Sequence, residues 1–75
     1  MKKYRLTTQD AETLKMQSVA FEDEKAARRA ARDAQHDGTI IMWILFEFAG
    51  KNYDPKSDTF YPVYDPIDRW PKQQG

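Results

Sequence analysis

Five side chains able to carry positive charge recur at helical spacing: Lys25, Arg28, Arg29, Arg32 and His36. The intervals i, i+3, i+4, i+7 and i+11 bring them to one face of an α-helix. Arginine forks suit phosphoryl and carboxylate oxyanions, so this stripe is a candidate site for phosphates or for an acidic protein surface. The competing reading is a solvated helix face. Glu24 lies four residues before Arg28 and Asp33 four after Arg29, and each exposed pair of that kind is worth only about 0.3–0.5 kcal/mol.

Other chemistry is sparse. His36 is the single histidine and there is no cysteine, so no thiolate or multi-histidine metal set can be assembled. A cation near a helix end is favoured by the dipole, which explains His36 without catalysis. Asp54, Asp58, Asp65 and Asp68 lack the glycine and closing glutamate of a calcium loop, and turn formation accounts for them. Gly38, Gly50 and Gly75 stand too far apart for a phosphate loop. Ser18 and Ser57 have no histidine arrangement readable around them. The expectation is a non-enzyme with no catalytic residue, no metal and no cofactor.

The elements that must hold these residues centre on Ile40–Phe48, Ile-Ile-Met-Trp-Ile-Leu-Phe-Glu-Phe. The run is too short to cross a bilayer, and its β-branched and aromatic content predicts a buried strand. Alternation puts Ile40, Met42, Ile44, Phe46 and Phe48 on one face and Ile41, Trp43 and Leu45 on the other. Both faces are apolar, yet the chain offers a single helix to cover them. The second face must be covered by the C-terminal tail, by a second copy or by a foreign partner.

That helix is predicted over Asp23–Gln35. Asp23 is its cap, Glu24 sits in its first turn and Asp37-Gly38 ends it. Ala26, Ala27, Ala30, Ala31 and Ala34 form a stripe opposite the cations, which lets the helix axis sit close to a sheet. Before it, Lys3–Thr7 alternates as a strand. Leu14–Phe21 reads as a second strand, with a β-bulge near Ser18 bringing Leu14, Met16, Val19 and Phe21 to one face. A rival reading is one long helix from Thr8 to Gln35. After the long strand, Asn52–Asp58 carries turn signals, and Thr59–Tyr64 returns antiparallel at an edge because Pro62 cannot donate to a ladder.

A hairpin, a helix and a second hairpin give an α+β fold: a four-stranded antiparallel sheet, ββαββ, with one helix on one face. A right-handed crossover sets the order 2-1-3-4. The whole of residues 1–75 is one small domain, with an irregular tail from about 65 to 75. The aromatics Tyr53, Phe60, Tyr61, Tyr64 and Trp70 could close over the sheet, make an interface or stack bases. The candidate partner interface is Ile41, Trp43 and Leu45 together with Phe60, Tyr61, Tyr64 and Trp70.

Twelve basic and twelve acidic residues cancel. A zero balance excludes a strongly acidic DNA mimic and a uniformly basic nucleic-acid coat, so an electrostatic partner must read a local patch. The basic start is followed by no apolar stretch, so no signal peptide is expected. The expectation is a cytoplasmic protein without a membrane partner.

In layout and size, the strands around Tyr4–Leu6, Leu14–Phe21 and Ile40–Tyr53 with the helix Asp23–Gln35 resemble several small phage-encoded inhibitors of bacterial defence, anti-CRISPR proteins among them. The resemblance is one of architecture and transfers no residue. It implies a protein that binds and blocks a complex of the host cell. The expected partner is therefore a protein, either that host complex or a second copy in a homodimer. The alternative is a small nucleic-acid or nucleotide-binding protein that uses the basic stripe.

Overall fold

The computed structural model describes residues 2–72. Strand β1 spans Tyr4–Asp10, β2 Met16–Phe21, helix α1 Glu24–His36, β3 Ile40–Asp54 and β4 Thr59–Trp70. They build one four-stranded sheet in the order β2-β1-β3-β4, antiparallel throughout, with α1 between β2 and β3 in the chain. This is the α+β layout and strand order expected from the sequence.

The helix begins where Asp23, in extended conformation, accepts a hydrogen bond from the Lys25 N–H at 3.0 Å. It ends at Asp37, whose N–H donates to the Asp33 and Ala34 carbonyls. Ala27 and Ala31 are buried and Ala30 and Ala34 pack beside them. Ala26, expected in the same stripe, is exposed. The contact patch of so narrow a helix spans fewer positions than the full stripe.

The core is one layer thick. Tyr4 and Leu6 of β1 and Trp43 and Leu45 of β3 meet Ala27 and Ala31, with Phe21 and Trp70 against the cluster. Leu45 is completely buried and Trp43 is 7 % exposed. The larger sheet side chains therefore supply most of the buried apolar area, and alanine supplies the close approach.

Two expected features differ. β2 carries no bulge: it pairs without a break from Tyr4↔Phe21 to Gln9↔Met16. Leu14 lies in the preceding turn with φ 60°. That turn is held by the Asp10 carboxylate, which accepts from the N–H groups of Glu12 and Thr13 at 2.8 and 2.9 Å. Met16 and Val19 consequently project to opposite faces, and both stay exposed. An edge strand only grazed by the helix has no need to gather its apolar residues on one side.

The irregular tail expected from about residue 65 is also corrected. β4 continues to Trp70, while residues 73–75 lie outside the described ones. Pro62 and Pro66 sit in an edge strand, where a missing N–H is tolerated. A register shift between Leu45 and Phe46 absorbs the irregularity. Asp68 then bonds Arg28 and Trp70 packs on the core, which ties the segment down.

Beyond Phe48 the β3–β4 hairpin leaves β1 behind. β1 last pairs with β3 at Tyr4↔Glu47, whereas β4 accompanies β3 to Asp54↔Thr59. The result is a two-stranded arm, and body and arm together measure 43 × 26 × 26 Å. Its tip is closed by Asp54, which accepts from the Lys56 N–H and the Ser57 hydroxyl.

Candidate functional site

Pairing and packing settle which face of β3 the helix takes. Tyr4 and Leu6 stand opposite Glu47 and Leu45 and belong to the covered side. The other side is left without a helix. Along β3 it carries Met42, Ile44, Phe46 and Phe48, all only half-buried. Their partners on β1 are Gln9, Thr7 and Arg5, and on β4 Arg69, Pro66 and Tyr64.

This open face has an apolar centre and a cationic rim. Arg5 and Arg69 flank β3 from its two neighbours, and no Asp or Glu occupies a strand position on this side of the four-stranded body. The carboxylates of the sheet lie on the covered side, where Glu47 faces Tyr4 and Asp68 faces Arg28. Burial pushes the Tyr4 phenol above its ordinary pKa, and the neighbouring Glu47 and Glu24 carboxylates add to the effect. A neutral overall charge thus hides a separation of sign across the sheet.

The aromatic rings of the open face are engaged with one another. The Arg5 guanidinium lies 4.7 Å from the Tyr64 ring centre, within cation–π range. Phe48 meets Tyr64 edge to face at 5.7 Å. At its lower end the face runs into an apolar groove of about 320 Å³ between Ile44 and Trp70, edged by Arg69 and Lys72.

The interface residues expected from the sequence are distributed differently. Trp43 and Leu45 form the core under α1 and are removed from the candidate interface; Trp70 packs against that core. Ile41 remains 42 % exposed. Tyr64 belongs to the open face. Phe60, the most exposed large apolar residue at 68 %, and Tyr61 lie on the arm, where Phe60 packs on Tyr53 at 5.2 Å. Arg5, Met42, Ile44, Phe46, Phe48 and Arg69 line the open face and lie outside the interface expected from the sequence. The signal was present in the alternation of Ile40–Phe48, but the sign of the face was not.

The basic stripe is real as a surface. Lys25, Arg28, Arg29 and Arg32 surround one depression of about 220 Å³. Arg28 is bound to Glu24 at 2.8 Å and to Asp68 at 3.0 Å, contacts that raise its pKa further. His36 lies instead on the flank toward β4, with Arg28 and Arg32. The four aspartates of the last third do not converge: Asp54 caps the arm, Asp58 accepts from the Tyr53 hydroxyl, Asp65 pairs across from Glu47 and Asp68 holds Arg28. No helix is long and apolar enough to cross a membrane among the described residues. No family model, curated protein or solved structure matches the chain, so a functional reading rests on these surfaces.

Proposed function

We propose that the chain is a non-catalytic protein-binding module that acts by occupying, and thereby blocking, a surface of a partner protein. The observation that carries this reading is the helix-free face of the sheet, with Met42, Ile44, Phe46 and Phe48 at its centre and Arg5 and Arg69 at its rim. Full burial of each apolar side chain stabilises a complex by up to about 1.5–3 kcal/mol.

The charge pattern selects the partner. A second copy docked face to face about a two-fold axis would set a cationic rim against itself. An apolar surface rimmed by carboxylates is complementary to it. Base stacking is disfavoured because Arg5 occupies a face of the Tyr64 ring and Phe48 stands edge-on to it, while Met42 and Ile44 offer no π-face. The resemblance in layout and size to small phage-encoded inhibitors of bacterial defence would make blocking of a host complex the mode of action.

The test compares the native chain with Phe46→Asp and Ile44→Asp as baits in a bacterial lysate. A protein captured by the native chain, lost with both variants and competed by salt, supports the reading. Capture that both folded variants retain would overturn it. So would a concentration-dependent dimer in sedimentation that the variants abolish, or tight binding of a single-stranded oligonucleotide through the same residues.

A further inference from the structure

On the covered side of the sheet, α1 and β4 do not close completely. A groove of about 350 Å³ lies between them, walled by Arg28, Arg32, Gln35 and His36 of the helix, with Trp43 on the sheet side and Asp68 at its edge. Its volume falls at the small end of the usual range for ligand sites. The groove is rich in hydrogen-bond donors and poor in acceptors.

Two independent observations point to a ligand. The first is Trp43. Its indole Nε1 is buried without a hydrogen-bond partner, alone among buried side-chain polar atoms of the described residues. A native interior rarely leaves such a donor unmet, since each costs about 1–3 kcal/mol. The second is the charge balance. Arg28 is matched by Glu24 and Asp68, but Arg32 makes no ion pair among the described residues. Trp43, whose indole carries that donor, and Arg32 line the same cleft.

We propose that this groove is a binding site for a small phosphate-bearing molecule of phosphomonoester type. Arg32, with His36 beside it, would take the phosphoryl oxygens, since a guanidinium presents two parallel donors to such a group. The organic part of the ligand would rest against the Trp43 indole at the inner wall. Asp68 disfavours a bare multivalent anion at the edge and can accept a hydrogen bond from a hydroxyl of the organic part. The site is on the opposite side of the sheet from the open face and does not depend on the protein-binding reading.

The test is an NMR titration of the ¹⁵N-labelled chain with adenosine monophosphate at constant ionic strength, with sodium chloride as the control. The Trp43 indole N–H resonance should move saturably, with a dissociation constant in the millimolar range or below, and Trp70→Phe assigns the peak. Arg32→Ala should weaken binding about tenfold or more. Arg29→Ala removes an equal charge from the stripe outside this groove and should leave binding unchanged. Both positions are exposed on the helix, so both variants should keep the native amide spectrum. The proposal is overturned if the Trp43 resonance does not move, or if Arg29→Ala weakens binding as much as Arg32→Ala does, which is the behaviour of a diffuse basic surface.

Discussion

Leu45 and Phe46 are neighbours in the chain and live in different media. Leu45 is sealed beneath α1; Phe46 is half-exposed on the helix-free face. The two faces of β3 are almost equally apolar in composition, so hydrophobicity does not distinguish them. Cross-strand company does. The covered face has Tyr4, Leu6 and the alanines of the helix, with carboxylates at its margin. The open face has Arg5, Thr7 and Arg69. The comparison teaches that one face is specified for folding, while the other, equally apolar, is left without a helix to cover it.

The sharpest way to break this contrast is truncation at the two adjacent positions. Leu45→Ala leaves a cavity under the helix and should cost about 2–5 kcal/mol, most of the stability a domain of this size can have. Phe46→Ala should cost about 1 kcal/mol or less, because the side chain is already partly in water. Urea denaturation followed by circular dichroism measures both. Equal losses would mean that the open face is covered in solution by the chain itself or by a second copy.

The helix contact can be tested from the other side. Ala31→Leu inserts bulk where the helix and β3 approach closely and should destabilise by about 1–3 kcal/mol. The same change at Ala26, which is exposed, should be within about 0.5 kcal/mol of neutral. A smaller effect is expected at the helix start. Asp23→Ala removes the oxygen that meets the Lys25 N–H and should cost about 1 kcal/mol, restored largely by Asp23→Ser. Both series are read from the denaturation midpoint. They act on the helix alone, and the partner capture proposed for the open face should persist wherever the chain remains folded.

Much of this architecture is legible in the sequence. The cap at Asp23, the alanine spacing and the apolar run at Ile40 fix the helix and the central strand. The crossover rule then gives the strand order. What the residues do not reveal is which side of β3 meets the helix, because alternation defines two faces without naming the inner one. The choice depends on the register that sets Leu6 against Leu45, a long-range fact. The continuation of β4 is hidden for a different reason. Pro62, Pro66 and the aspartates Asp65 and Asp68 carry loop signals, and only an edge position with one unpaired side makes them compatible with a strand. The groove is invisible at the sequence level, since Trp43, Arg32 and Asp68 come from three separate elements.

Titration separates the covered face from the turns that serve both faces. Tyr4, raised above its ordinary 10.0 chiefly by burial and then by Glu47, belongs to the covered face. Its contribution is fully present below pH 10.0 and is lost as pH rises through the higher folded value. Tyr4→Phe should therefore flatten the alkaline limb of the stability profile. Asp10 and Asp37 behave in the opposite sense. Asp10 is held below its ordinary 3.8 by the N–H groups of Thr13 and Glu12, and Asp37 by the N–H and hydroxyl of Thr39. Their contribution is present above pH 3.8 and is lost as pH falls through the lower folded values. The two turns lie side by side, joined by the Ala11 N–H donating to the Thr39 carbonyl at 2.7 Å. Asp10→Asn and Asp37→Asn should each reduce the acid slope of the urea midpoint below pH 3.8 and leave the alkaline limb intact. An acid slope unchanged in the double variant would rule out these two turns as the source of acid sensitivity and would separate their hydrogen bonds from the stability of the sheet.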